Sequence, residues 1–465
     1  MKTLAIFLCI ILALASAQQK PDLVIEMCRH GARNALSNQY DNYFDPTYYG
    51  DLTPAGMRQH YLLGSSLVKE YPNILGVPYN KSFVYAVSDD DCDRCVQSAL
   101  SQFYAIYLGQ GPGLGKDYPT YRAVPLYNST WINKTIATMD NSQALQYGHT
   151  AINIPVVDGS NTLIFNSDDS AFCPNNALWR SQNLNDAKSL AAWTLFGPTI
   201  NNLNKYGNIS TPLDLMLFGD TYFCDLYLNK SLPGGMPYNA DLQLNLTYAF
   251  SYFMAHYWEG QKIQRETTGW GMIQGIINYT NNFAKGHTKT NFVLYSGHDD
   301  NLHAVLSALG IVTDDCILAN FQSWWSLKKI LYPNCHFPYF ASTIKVELYN
   351  TSSPYVKFYY ENELIPLCNN QPQCSLADFT KLLQNAIGNR NYAQWAQACG
   401  ATTSEKAENV NIEAGYQVQG NSNWTVEKTA ILIMAIFCVL LVGKLAVDNK
   451  KHREEIHRIS QEKLL

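Results

Sequence analysis

The chain is expected to form an α/β fold, because three short apolar runs each end in a polar, charged turn, and helix-like sequence follows two of them. Leu23-Val24-Ile25 leads through Glu26, Met27 and Cys28 into Arg29-His30-Gly31. Phe83 to Val87 leads into Ser88, the acidic run Asp89 to Asp93 and Arg94. Phe292 to Tyr295 leads into Ser296-Gly297-His298-Asp299. Each run reads as a buried strand, with helices expected over Val96–Leu108 and Leu302–Leu309. Ligands of such sheets bind beyond the carboxyl ends of the strands, so three distant segments aim charged residues at one place.

From about Gly111 to Trp270 the pattern changes to an irregular stretch rich in Asn, Tyr and Pro, with helical pieces such as Ala187–Leu195 and Leu246–Tyr257. It reads as a mainly helical lobe inserted into the sheet domain. The two ends read differently. Met1–Ala17 has Lys2, an apolar run and a closing Ala15-Ser16-Ala17, the pattern of a signal peptide. Thr429–Val447 is apolar except for Lys444 and is followed by Lys450, Lys451 and Arg453. It is expected to be a single transmembrane helix with residues 448–465 as a cytoplasmic tail, because at about 1.5 Å per residue it nearly crosses the bilayer hydrocarbon. Residues 18–400 then form a lumenal or extracellular ectodomain, and the polar residues 401–428 a stalk.

That topology explains the cysteines. Cys9 leaves with the signal and Cys438 lies in the membrane, leaving ten in an oxidising compartment. Nine Asn-x-Ser/Thr sequons, at Asn80, Asn128, Asn133, Asn208, Asn229, Asn245, Asn278, Asn350 and Asn423, suit a glycoprotein. The net charge of −5 and the lack of a basic stripe argue against nucleic acid as a partner.

The chemistry concentrates in the turns. Arg29-His30-Gly31-Ala32-Arg33 sets an imidazole between two guanidiniums, which match phosphate oxygens with planar, bidentate donors. A neutral imidazole there can attack phosphorus and carry the phosphoryl group covalently. Arg94 can add a third guanidinium. His298 can add another donor, and Asp299 in its acid form can protonate a departing oxygen. Asp300 is expected to cap the helix beginning near Leu302, and His303 to pack inside it.

These motifs resemble the histidine acid phosphatase family, which pairs Arg-His-Gly-x-Arg-x-Pro near the mature N-terminus with a distant His-Asp. Leu52-Thr53-Pro54-Ala55-Gly56-Met57-Arg58-Gln59-His60 looks like its Leu-Thr-x-x-Gly-x-x-Gln-His segment, and Asp91-x-Asp93-Arg94 like its third-arginine loop. Ala35 stands where the family has proline. The resemblance implies a phosphoglycerate-mutase-like, mostly parallel sheet flanked by helices. It also implies hydrolysis of small phosphate monoesters without a metal or other cofactor, and a homodimer as a candidate assembly. It makes His30 the nucleophile, Asp299 the proton donor, and Arg29, Arg33, Arg94 and His298 the phosphate ligands. It pairs Cys368 with Cys374, Cys224 with Cys335 and Cys173 with Cys399, and leaves Cys28, Cys92, Cys95 and Cys316 unassigned. The membrane anchor resembles that of lysosomal-type members.

Other readings compete. Cys28 and Arg33 are one residue too close for a Cys-x5-Arg phosphatase loop, and His298 and His303 are not spaced as a helical metal pair. Cys92 and Cys95 are better suited to structural pairings than to redox chemistry. Tyr40, Tyr43, Phe44, Tyr48 and Tyr49 suit a substrate pocket and a packed surface loop equally. An inactive glycosylated surface protein could share the fold, and a phytase or a lysophosphatidic acid phosphatase would be more specialised relatives. His298-Asp299, in place of His-Ala-Glu, favours the acid phosphatase or phytase side.

Overall fold

Leu23–Arg29 forms β1 near the middle of an eight-stranded sheet, and alternate residues of it enter different cores. Leu23, Ile25 and Met27 face the large core beneath the helical lobe, while Val24 and Cys28 face a smaller one. Burial on both faces is why Leu23-Val24-Ile25 and Met27-Cys28 show no apolar–polar alternation, with Glu26 the one charged side chain buried among them. The computed structural model describes residues 19–41, 45–89, 93–111, 144–157 and 163–401.

The other strands are β2 (Val84–Asp89), β3 (Val156–Val157), β4 (Phe292–Gly297), β5 (Thr343–Tyr349), β6 (Tyr355–Tyr360), β7 (Glu363–Ile365) and β8 (Cys374–Ser375). Their order is β3-β2-β4-β1-β5-β6-β7, with β8 paired to β6. The first four are parallel to one another. From β5 onward the pairing is antiparallel. The sheet is therefore mixed, not mostly parallel. Tyr349 and Tyr355 are joined by a short loop, which permits a hairpin but not the long crossover a parallel pair needs.

Helix α1 (Pro54–Glu70) and helix α2 (Asp93–Ile106) cover the smaller core, with Leu67, Ala99 and Phe103 against Val24, Phe292 and Leu294. Between β3 and β4 run α3 (Leu163–Asn166), α4 (Pro174–Asn185), α5 (Ala187–Leu195), α6 (Gly197–Leu203), α7 (Pro212–Tyr227), α8 (Ala240–Glu259), α9 (Lys262–Thr268) and α10 (Trp270–Ala284). This stretch is more regular than its Asn- and Pro-rich composition suggests, since Pro174, Pro198 and Pro212 all sit in the first turns of helices, where no intrahelical N–H is needed. Thr211 closes a capping box with Asp214, and Pro212 occupies the first turn of α7. The short β3 falls inside the stretch expected to be lobe, yet it extends the sheet. The chain ends its described part with α11 (Asp299–Ala308), α12 (Asp314–Leu327), α13 (Leu376–Ala386) and α14 (Tyr392–Cys399).

Disulfides join Cys173 to Cys399 and Cys368 to Cys374, as the resemblance implied. The expected pairing of Cys224 with Cys335 is replaced by Cys316 with Cys335, whose Cα atoms are 6.2 Å apart. Cys224 instead faces a different part of the molecule, with its Sγ 3.4 Å from Arg33 Nη1. Cys92 lies outside the described residues, as do the segments expected to be signal peptide, membrane helix and tail, all but the first residue of the expected stalk, and the sequons at Asn128, Asn133 and Asn423. Among the described residues no helix is long and apolar enough to cross a membrane. Asn80, Asn208, Asn229 and Asn350 are exposed, whereas Asn245 and Asn278 are half-buried on helices.

Candidate active site

The site assembles because β2, β4 and β1 are parallel neighbours that end together. Arg29, the last residue of β1, is in register with Gly297 at the end of β4, and Ser88 of β2 is level with Ser296. The turns after these strands therefore bring Arg29, His30, Arg33, Arg94, His298 and Asp299 together, across 270 positions of sequence from first to last. His298 is the N-cap of α11 and Asp299 its first residue. The helix thus starts before Asp300, which is not its cap. The reason is Asn301, whose Oδ1 accepts from the His298 backbone N–H at 2.8 Å and closes the first turn one step earlier.

The loop carrying His30 and Arg33 rests on the start of α1, where close approach depends on two glycines. A Cβ on Gly31 would lie 2.4 Å from the Gly56 carbonyl oxygen, and one on Gly56 would lie 2.3 Å from that of Ala32. Thr53 caps α1 and donates its hydroxyl to Ala32 O at 2.7 Å, while Gln59 Oε1 accepts from Ala32 N at 2.8 Å. His60 reaches Arg29 O at 3.1 Å, and its burial pushes it down to about 4, keeping it neutral. The Leu52–His60 segment therefore holds the backbone of the site. Ala35 is buried with Ala32, Cys224 and Phe340, so the position expected to hold proline serves as a small packing residue.

His30 is buried, and its Nδ1 lies 2.8 Å from the carbonyl oxygen of Gly31. A carbonyl only accepts, so Nδ1 carries the hydrogen and Nε2 keeps its lone pair. Burial, reinforced by Arg29, His298, Arg94 and Arg33, holds His30 well below the ordinary imidazole range. The ring lies 5.3 Å, centroid to centroid, from that of His298.

The arginines are positioned by different partners. Arg29 donates through Nη1 to Pro338 O at 2.8 Å and pairs through Nη2 with Asp299 Oδ2 at 3.0 Å. Arg33 is gripped by Asp220 of α7, and Arg94 places Nη2 3.5 Å from His298 Nδ1. Each of the three leaves a buried Nε–H without a protein partner among the described residues, a donor available to an anion. The Phe340 ring lies 4.4 Å from the Arg29 guanidinium carbon and 5.8 Å from that of Arg33, forming one wall. His298 Nε2 is 3.6 Å from Asp89 Oδ2. Burial raises Asp299, but Arg29, then Arg33 and His298, outweigh it and leave the carboxyl below its usual range.

The motif residues that lie elsewhere are also clear. Cys28 is a buried β1 residue whose thiol is pushed well up by burial. His303 is buried against Glu259 and Phe337. Tyr40 packs on Phe218, Tyr48 and Tyr49 are exposed, and Tyr43 and Phe44 lie outside the described residues. A polar cavity of about 330 Å³ beside Tyr40, Asp41 and Tyr206 contains none of the six site residues. Asp220 and Phe340 were not legible in the sequence. Asp220 and Cys224 are four apart on α7, a same-face spacing that means nothing until Arg33 is opposite. Among the described residues no cluster of His, Cys, Asp and Glu is suited to a metal ion.

Fold and site together define a phosphoryl-handling α/β enzyme, and comparison with known proteins agrees. The sequence profile of the histidine phosphatase superfamily (branch 2) matches residues 46–361, more than half of the chain, a span that includes Arg94, His298 and Asp299 and begins just after Arg33. The chain belongs to that superfamily, whose class of reaction is phosphoric monoester hydrolysis. It is 24% identical to lysosomal acid phosphatase of Xenopus laevis, over 93% of this chain and 88% of that protein. It is also 24% identical to prostatic acid phosphatase of Mus musculus, over 78% of this chain and 84% of that protein. Among solved structures, a phytase from Citrobacter braakii shares the fold with a TM-score of 0.54 at 12% identity, covering 83% of this chain and 100% of that one.

Proposed function

We propose that the chain is an acid phosphatase that transfers the phosphoryl group of a monoester to His30 and then to water. The observation that carries this reading is the His30 tautomer. Its Nδ1–H is committed to Gly31 O, and burial, reinforced by the neighbouring arginines, disfavours protonation, so Nε2 remains a nucleophile in an acidic medium. Arg29, Arg33, Arg94 and His298 supply the positive charge that binds the phosphate and stabilises its equatorial oxygens.

Asp299 is the proton donor in this reading. In the empty site it is held as a carboxylate by Arg29. A phosphate dianion competes for the same guanidinium, and weakening that pair raises the proton affinity of Asp299. As His30 Nε2 bonds to phosphorus, the ester P–O bond breaks and the leaving oxygen takes the Asp299 proton. The resulting carboxylate takes a proton from water as that water displaces His30, restoring the acid. Single-turnover quenching with a labelled monoester tests the sequence: an acid-labile, base-stable phosphoenzyme should form in the native chain and be absent in His30→Ala. A native enzyme that turns over without any trapped phosphoenzyme would refute it.

The same proposal extends to location. The apolar Thr429–Val447, the N-terminal apolar run and the four exposed sequons support a single-pass glycoprotein with a lumenal or extracellular catalytic domain. Two relatives bear lysosomal and prostatic names, which supports an acidic or secreted setting. A release panel of nucleotides, phosphotyrosine, sugar phosphates, lysophosphatidic acid and phytate at several pH values separates a broad acid phosphatase from a phytase or lipid phosphatase. No release from any of them would favour an inactive surface protein.

A further inference from the structure

The end of α12 and the loop after it turn their apolar residues outward. Trp325, Leu327, Ile330, Leu331 and Tyr332 are each roughly half exposed or more, with Leu327 at 72%. A contiguous exposed apolar patch is the unusual observation on a soluble surface. Nor does the loop lack structure of its own. The disulfide between Cys316 and Cys335 closes it at the base. Inside it, Asn320 Oδ1 accepts from Leu331 N at 3.0 Å and Tyr332 N at 2.8 Å, and its Nδ2 donates to Tyr332 O at 2.8 Å. Lys328 ends the helix in the left-handed conformation and holds its ammonium 3.9 Å from the Trp324 ring centroid. The fold spends a disulfide and a buried asparagine on presenting these side chains.

Charge identifies the occupant. The sequence contains no acidic residue between Asp315 and Glu347, although the chain as a whole is acidic. Lys328 and Lys329 sit among the exposed apolar residues, and neither takes part in an ion pair among the described residues, unlike Lys188, Lys262 and Lys345. Tryptophan and tyrosine with aliphatic neighbours suit the boundary between headgroups and acyl chains, and lysine stems reach the phosphates above it. We propose that residues 324–333 are a membrane-docking loop that inserts Trp325, Leu327 and Ile330 into an anionic phospholipid surface, with Lys328 and Lys329 on the headgroups. None of these residues belongs to the active site, so the inference stands whether or not the proposed reaction is correct.

Peptide-resolved hydrogen exchange on the full chain, mixed with phosphatidylcholine vesicles containing or lacking phosphatidylserine, reads the loop directly and separately from the segment at 429–447. Residues 325–333 should exchange at least about tenfold more slowly with phosphatidylserine vesicles than in solution, and should be slowed less by phosphatidylcholine alone. Lys328→Ser with Lys329→Ser should remove the phosphatidylserine dependence, at about fivefold per lysine. Trp325→Ser with Ile330→Ser should abolish slowing on both vesicles, while both double variants keep the native melting temperature. Exchange unaffected by vesicles would overturn the proposal. So would slowing without vesicles that grows with protein concentration, which would assign the face to a second copy of the chain.

Discussion

Asp220 holds both terminal nitrogens of Arg33, with Oδ1 2.7 Å from Nη2 and Oδ2 3.2 Å from Nη1. Burial alone would lower the proton affinity of this guanidinium, but Asp220 more than offsets it. The carboxylate also fixes which edge of Arg33 remains available, since Nη1 is further occupied by Asn34 O. Charge-assisted hydrogen bonds contribute about 1.5–3 kcal/mol each. Asp220→Ala should therefore reduce kcat/KM roughly ten- to a hundredfold and weaken inhibition by inorganic phosphate in parallel, measured by steady-state kinetics. An unchanged phosphate inhibition constant would show that Asp220 does not position Arg33 for the ligand.

Asp299 and Asp300 are adjacent on α11 and should behave differently. Asp299 faces Arg29, whereas burial and the neighbouring Asp299 charge raise Asp300, which accepts from Asn301 N at 2.8 Å. Asp299→Asn should slow alkyl phosphates by about a hundredfold or more and spare phosphoenzyme formation from nitrophenyl phosphate, whose leaving group hardly needs a proton. Asp300→Asn should show no dependence on leaving group. Rapid-quench trapping with both substrate types decides it, and the reverse pattern would move the acid to Asp300.

In the proposed mechanism the arginines take the place of the positive charge that a metal supplies elsewhere. Activity should survive EDTA, and vanadate should inhibit as a mimic of the five-coordinate phosphorus. Activity lost on chelation and regained with one divalent ion would contradict the proposed site.

His256 ties three helices together: its Nδ1 donates to Asp314 Oδ2 at 2.7 Å, and its Nε2 is 3.1 Å from both oxygens of Asp186. Burial opposes its charge, but the Asp314 bond and both carboxylates win, raising it above 6.5. A raised folded value means the stabilisation is complete below the unfolded value and is lost as pH rises through the folded one. Glu26, lifted by burial to about 7, and His60, lowered to about 4, also titrate and pull in opposite directions. The useful measurement is thus the difference in urea midpoint between native and His256→Asn proteins. That difference should be largest near pH 5 and shrink towards alkaline pH. A constant difference would mean the imidazole contributes by packing alone.

Peptide mapping without reduction should join Cys316 to Cys335 and find Cys224 alkylated only after denaturation, because its buried thiol sits against Arg33. Recovery of a peptide joining Cys224 to Cys335 would restore the pairing that the family resemblance implied.

The local sequence determined where the chemistry-bearing residues lie, because strand ends announce themselves as apolar runs breaking into charged turns. Arg29, His30, Arg33, Arg94, His298 and Asp299 were all legible in this way, as were β1, β2 and β4. The tertiary structure decided what no local pattern encodes. It set the antiparallel half of the sheet, placed Asp220 and Phe340 against the arginines, and chose Cys316 as the partner of Cys335. It also began α11 at Asp299, through a bond from Asn301 back to His298. The division has one physical cause. Periodicity and turn chemistry are carried by neighbours within a few residues, whereas a carboxylate meeting a guanidinium 187 positions away depends on how whole helices dock on the sheet.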